Sequence, residues 1–344
     1  MSGAGRNGGN QDDAPGVELS QLIGDPSVQP LEELLRAQGF VPLAHEPLCR
    51  HGTWRIGGPA DLFVEPSSRD ELGFVLRLAR ECGVPSVVIG KGSNLLFDDA
   101  GLRGIAIKIG RRLSRVTCAD ATIRAEAGVS TPALARLTAL AGLTGLEHIV
   151  GIPGTLGGLV VMNGGSLQRA VGDTIIEVQT LDRDGRLRTF CCDDCVFAYR
   201  SSRFQGEDYV VTDVAISLSS GSPSTILSEM REILRDRRRK FPLTWPNCGS
   251  VFKSDPSVYR QYGPPGAVVE RLGLKGLRVG GATVDRRHAN FIVNTGRATS
   301  RDVLALVLRI RRTIQDRLGC SLACEVKYVR PDGVTLPLDQ VLPE

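Results

Sequence analysis

The feature that most constrains this chain is a glycine-dense apolar segment. Between Gly151 and Gly165 six of fifteen residues are glycine, in GIPGTLGG (151–158) and then MNGG (162–165). Packing alone does not call for so many missing side chains. Close approach of the backbone to a flat ligand does, because a residue without a Cβ lets its N–H reach the ligand surface. A second loop of this kind, Gly90-Lys91-Gly92-Ser93-Asn94, follows the short apolar run PSVVI (85–89). Taken alone it reads as a turn between strands, and it is neither a Walker A loop nor a G-x-G-x-x-G fingerprint. Two such loops together predict a large phosphorylated ligand cradled by backbone N–H groups.

The rest of the chain bounds the class. Its 344 residues leave room for two or three domains, and 42% hydrophobic with 23% charged residues is ordinary for a soluble globular protein. A net charge of +4 suits anionic small molecules and falls short of a nucleic-acid-binding balance. No window approaches 18 consecutive apolar residues, so neither a membrane span nor a membrane partner is expected. Residues 1–16 are rich in Gly, Asn and Asp and lack an apolar signal core; a disordered tail over 1–30 and a cytoplasmic location are expected. The nine scattered cysteines are expected to be free thiols. The cluster Cys191, Cys192 and Cys195 has no second pair, and His45, His51, His148 and His288 have no metal-like spacing, so no metal is expected.

Periodicity predicts a short helix over 31–39, a strand from Asp61 to Pro66, and an amphipathic helix over 67–83 capped by Ser68 or Asp70. From Gly101 to about Leu218 short β-rich runs surround a single helix at 131–141, which points to an α+β fold and not a regular βαβ series. A long helix over 224–241 is read as the start of a new unit. The last helix, 300–318, places Val303, Leu304, Val307, Ile310 and Ile314 on one face. The expected division is a tail (1–30), a ligand-binding region (31–220), a second domain (221–330) and a C-terminal tail (331–344).

Seven segments, taken in order, resemble one family. They are TWRIGGPA (53–60), GKGSNLL (90–96), GIPGTLGG (151–158), YRSSRF (199–204), PNCGSVFK (246–253), GLKGLRVGGATVDRRHANFIVN (273–294) and CEVKYV (324–329). Together they are similar to the UDP-N-acetylenolpyruvoylglucosamine reductases, across roughly residues 40 to 330. The resemblance implies an FAD-binding domain of the vanillyl-alcohol-oxidase (PCMH) type followed by a C-terminal α+β substrate-binding domain. It implies non-covalent FAD, NADPH as hydride donor in a shared cleft, and a UDP-amino-sugar enolpyruvyl ether as substrate in peptidoglycan precursor synthesis. A monomer or weak dimer is expected. Carried over position by position, the resemblance puts catalytic roles on Arg200, Ser250 and Glu325. It puts FAD contacts on Arg55, Gly57, Gly58, Gly90, Lys91, Gly92, Ser93, Asn94, Gly151, Ile152, Pro153, Gly154, Thr155, Gly157, Gly158 and Asn163. Substrate contacts fall on Tyr199, Lys253, His288 and Asn290.

Those three catalytic types suit the chemistry. Hydride added to the terminal carbon of an enol ether leaves an enolate-like species, so a cation is needed where negative charge develops, a role for Arg200. The adjacent carbon then takes a proton from a positioned donor, a role for Ser250. Glu325 either hydrogen-bonds the substrate carboxylate region when protonated or orients the donor when ionised. The basic run RDRRRK (235–240) has two readings, a solvated helix end or a group of arginines that bind a diphosphate or the NADPH phosphate.

The chain departs from the family pattern at several places. It reads Gly164-Gly165-Ser166-Leu167-Gln168 where relatives commonly have Ala-Gly-Ala-Tyr-Gly, and Ser254, Asp285 and Cys324 replace frequent Asn, Ser and Pro. It resembles the shorter branch, without the long tyrosine-bearing insertion. These departures leave open a paralogue with a different enolpyruvyl acceptor. An FAD-dependent oxidase is the rival class; His51 and His148, the two histidines in reach of the flavin domain, lie in no covalent-attachment motif.

Overall fold

The computed structural model describes residues 28–206 and 208–342. Most of the expected N-terminal tail lies outside the described residues, and its last part belongs to a helix, Val28–Ala37, whose Leu31 and Leu35 are fully buried.

Two sheets build the first unit. One is a four-stranded sheet in the order Leu43–Pro47, Pro59–Val64, Leu102–Lys108, Ser86–Ile89, antiparallel at its first pair and parallel elsewhere. The run Ile105-Ala106-Ile107 in its middle is wholly buried, as expected of a strand covered on both faces. The other is an antiparallel five-stranded sheet in the order Leu187–Cys191, Ile175–Asp182, Tyr209–Ser217, Thr122–Glu126, Val116–Ala119. The helix Arg69–Glu81 is stopped at its start by Ser68, whose hydroxyl accepts the Glu71 N–H at 3.1 Å; Asp70 and Glu71 add favourable charge to the first turn. Its Leu72, Val75, Leu76 and Ala79 fill one stripe of the core.

A smaller antiparallel sheet, Arg278–Val279, Ala282–Val284 and Ile292–Asn294, forms the second unit with the helix Ser300–Leu318. Thr299 and Asp302 cap that helix reciprocally, and Gly319 closes it in the left-handed region at φ 66°. Val303, Val307, Ile310 and Ile314 are buried as the pattern predicts, whereas Leu306 fills the core and Leu304 sits at its edge.

Two expected boundaries are corrected. The helix Pro223–Lys240 does not open the second unit: Ile226, Met230 and Ile233 are buried in the first core, near the helix Thr131–Leu140. The chain leaves the first unit only at Phe241. Residues 331–342 are not a tail. Thr335–Pro337 pairs with Lys327–Val329, which pairs in parallel with Leu95–Phe97, while Leu338 is fully buried and Asp339 accepts the Cys324 N–H at 2.8 Å. This small sheet ties the end of the chain to the residues directly after the first glycine loop. No helix among the described residues is long and apolar enough to cross a membrane.

Candidate active site

The two glycine loops face each other across one cleft of about 410 Å3, within the range of small-molecule sites. Gly90 to Asn94 line one side, and Ile152, Pro153, Gly154, Thr155, Gly157 and Gly158 the other. The first loop is the continuation of the strand Ser86–Ile89. Gly92 takes a left-handed φ of 62° against the His51 carbonyl, and its own carbonyl accepts the Thr53 N–H at 3.3 Å. The second loop is pinned by Leu156 N–H to Val129 O and Gly157 N–H to Ala127 O, both 2.8 Å. A Cβ on Gly157 would meet the Ala127 Cβ at 2.9 Å, and one on Gly90 would overlap the Thr155 hydroxyl. At these two positions the backbone at the cleft edge packs directly on its neighbours and leaves no room for a side chain. Val87, Met162, Phe204 and Val211 add apolar wall. A narrow slot with glycine edges and apolar walls fits FAD, whose diphosphate needs N–H donors and whose ring system needs a dry surface.

Arg200 and Glu325 meet in the cleft, and Ser250 lines the same cleft. Arg200 Nε donates to Glu325 Oε1 at 2.9 Å, and Arg200 Nη2 donates to the Gly165 carbonyl at 3.1 Å. Arg200 itself holds a left-handed φ of 53°, and its carbonyl accepts Gln205 Nε2 at 2.7 Å. Glu325 is fixed through its backbone: its N–H donates to Val251 O at 2.8 Å, and its carbonyl accepts Asn94 Nδ2 at 3.1 Å. One glutamate therefore joins the first loop to the strand segment that follows Ser250. Burial pushes the Glu325 carboxyl above its ordinary range, against the opposing pull of Arg200 and Lys253. Ser250 enters the cleft directly after Gly249, which is left-handed at φ 78°.

Other residues singled out from the sequence lie outside the cleft lining. Arg55 is exposed. Gly57 and Gly58 serve close packing, since a Cβ at the first would meet Phe97 Cβ at 2.5 Å and one at the second would overlap the Asp99 carbonyl. Gly151 is covered by the stem of Arg237. Asn163 is buried and ties two turns together, donating to Ala198 O at 2.9 Å and accepting the Gly172 N–H at 3.0 Å. The exposed Tyr199 reaches across to the second unit, where its hydroxyl accepts the Ser254 N–H at 3.4 Å, and the Arg200 guanidinium lies 5.2 Å from its ring centre. Lys253 acts on Glu325 only through its charge. His288 packs against the edge of the stacked pair Phe241 and Phe291, and burial holds its imidazole below the ordinary range. Asn290 clamps the segment after Ser250, accepting the Phe252 N–H at 2.9 Å and donating to the Phe252 carbonyl at 3.0 Å. His51 and His148 do not line the cleft either.

The basic run divides. Arg238, Arg239 and Lys240 are exposed, with the last two paired to Asp236. Arg237 turns into the cleft, stacks over Phe241 at 4.6 Å, and has no ion-pair partner among the described residues; burial lowers its pKa. The signal was present in the spacing, because Ile226, Met230, Ile233 and Arg237 form one continuous helical stripe. Among the described residues no three His, Cys, Asp or Glu side chains gather as a metal site.

Fold and cleft define the class, an FAD-dependent oxidoreductase: residues 60–190 match the family model of an FAD binding domain. Residues 241–329 match the C-terminal domain of UDP-N-acetylenolpyruvoylglucosamine reductase. The UDP-N-acetylenolpyruvoylglucosamine reductase 1 of Corynebacterium glutamicum is 43% identical over 291 residues, 85% of this chain and 87% of the relative. Reductase 2 of Symbiobacterium thermophilum is 42% identical over 302 residues, 88% of this chain and 96% of the relative. The crystal structure of the reductase from Thermus caldophilus matches with a TM-score of 0.70 at 32% identity, covering 84% of this chain and 98% of the other. The chain belongs to the UDP-N-acetylenolpyruvoylglucosamine reductase family.

Proposed function

We propose that this chain reduces the enolpyruvyl double bond of UDP-N-acetylglucosamine enolpyruvate to the lactyl ether of UDP-N-acetylmuramate. NADPH is the electron donor, and the setting is cytoplasmic peptidoglycan precursor synthesis. The observation that carries this reading is the Arg200–Glu325 pair in the same cleft that Ser250 and both glycine loops line. FAD, when bound, supplies the hydride.

The side chains do the rest. The Arg200 guanidinium, held in place by Glu325 and Gly165, meets the negative charge that grows on the substrate's carboxylate-bearing carbon. Because the ion pair and the carbonyl fix its plane beforehand, little reorganisation is required as charge develops. Ser250 delivers a proton from Oγ to that carbon, and the cleft walls keep bulk water from competing. Arg237 and the N–H groups of the 90–94 loop offer positive potential to phosphate groups.

The test is steady-state: NADPH oxidation must depend on the enolpyruvyl sugar nucleotide, and the product must be heavier by two hydrogen atoms by mass spectrometry. Parallel lines in double-reciprocal plots are expected of two ligands sharing one cleft in turn. NADPH consumption that ignores the sugar nucleotide and yields peroxide would replace this reading with an oxidase.

A further inference from the structure

The carbonyl that steadies Arg200 belongs to Gly165, at the start of a turn that is poorly suited to its own residues. Ser166 to Arg169 closes through Arg169 N–H to Ser166 O at 3.1 Å, with Leu167 at φ 57° and Gln168 at φ 62°. Two successive left-handed residues are the signature of a type I′ turn, which favours Asn and Gly; neither Leu nor Gln belongs there. Both side chains are exposed and give the turn no burial in return. Something outside the turn must hold it.

The holding contacts lie at its two ends. Ser166 Oγ donates to the His148 carbonyl at 2.6 Å. At the other end Arg169 Nη2 donates to the Gly145 carbonyl at 2.8 Å and lies 3.4 Å from Glu147 Oε2, while Nη1 lies 3.7 Å from Glu229 on the helix Pro223–Lys240. Glu147 is almost wholly buried. Burial pushes its carboxyl up, but the Thr144 hydroxyl, local N–H groups and Arg169 outweigh that and hold it below the ordinary range. The anchor for Arg169 is therefore a fixed anion. Gly165 is pressed so closely on the Arg169 carbonyl that a Cβ there would overlap it, so movement of Arg169 is felt at Gly165.

We infer that Arg169 is a positioning residue for the reaction: locked to Gly145 and Glu147, it holds the 166–169 turn so that the Gly165 carbonyl aims Arg200 at the reacting carbon. The inference rests on the reading that Arg200 meets the developing charge. It predicts that Arg169→Ala slows reoxidation of the reduced flavin by the sugar nucleotide about 10- to 100-fold, the scale of a misplaced catalytic group. Flavin reduction by NADPH and the KM for the sugar nucleotide change less.

Arg169→Lys, which keeps a tethered cation for Gly145 and Glu147, should restore most of the reoxidation rate, and Arg169→Gln, which keeps a tethered donor for Gly145 without the charge, should fall between Arg169→Ala and wild type. The deciding experiment measures single-turnover reoxidation in wild type, Arg169→Ala, Arg200→Ala and the double variant, each retaining FAD. If Arg169 acts through Arg200, the double variant is no slower than Arg200→Ala. If the two losses multiply, or if Arg169→Lys restores nothing, the positioning role is overturned. Should Arg200→Ala leave reoxidation unchanged, it is the proposed function of Arg200 that fails instead. If Arg169→Ala does not retain FAD, Arg169→Gln carries the same comparison.

Discussion

Substituting Gly90 by alanine tests whether the two loops form one cradle. The added Cβ falls well inside the 3.0 Å that real Cβ atoms respect, and what it meets is the Thr155 hydroxyl of the opposite loop. Thr155 is nearly buried and β-branched, so its hydroxyl has few other places to go. Overpacking of this kind costs about 1–3 kcal/mol. In the variant the loops can part to relieve the overlap, a movement that FAD held by both would oppose, so the strain is expected in affinity more than in folding. That range corresponds to a Kd for FAD raised about 5- to 150-fold. Titration of deflavinated protein with FAD measures it, with thermal unfolding of the apoprotein as control. The Thr155→Ala background provides the refutation. Removing the hydroxyl and methyl leaves the Thr155 Cβ, 3.4 Å away, as the nearest contact, which is ordinary van der Waals distance. Adding Gly90→Ala there should therefore cost almost nothing. An equal loss in both backgrounds, or none in either, would refute the argument.

Three further outcomes are expected. Burial lowers the His148 imidazole to about 4, and neither ring nitrogen has a hydrogen-bond partner. Its stabilising neutrality is complete above about 6.5 and is lost as pH falls toward 4, a change of roughly 3 kcal/mol. Denaturant unfolding of His148→Phe across that window should show a flatter acid limb than the native chain. Gln168→Gly should raise stability by about 1 kcal/mol, because glycine takes the left-handed φ without penalty, and should leave turnover intact. Arg237→Met, which keeps a stem over Gly151 but removes the charge, should weaken FAD binding about tenfold or more and reduce its salt dependence.

How far the sequence reveals this molecule depends on the range of the forces involved. The glycine loops are legible because a missing Cβ is a local fact, and the helix Ser300–Leu318 because its stripe repeats every three to four residues. The gathering of positions 200, 250 and 325 along one cleft is not local. No periodicity predicts it, and only the ordered motifs pointed there. The helix Pro223–Lys240 packs on the first core although its sequence suggests a new unit, because an amphipathic face does not say which core receives it. For the same reason Gly57, Gly58, Asn163 and Asn290 read as ligand contacts from their motifs, while their hydrogen bonds and close approaches build the frame behind the cleft. The strand Thr335–Pro337 is not legible in the sequence because three residues carry no period, and only pairing with Lys327–Val329 defines it.

If one cleft accepts electrons from NADPH and passes them to an enolpyruvyl sugar nucleotide with Ser250 as proton donor, the flavin spectrum reports both half-reactions. The most direct test is anaerobic: reduce the bound flavin with one equivalent of NADPH, add UDP-N-acetylglucosamine enolpyruvate, and follow the absorbance of oxidised flavin in wild type and Ser250→Ala. Prompt return is expected in the wild type and a return slowed by orders of magnitude in Ser250→Ala, whose flavin is still reduced normally. A wild-type flavin that stays reduced would contradict the substrate, and a Ser250→Ala enzyme that reoxidises at the wild-type rate would contradict the mechanism.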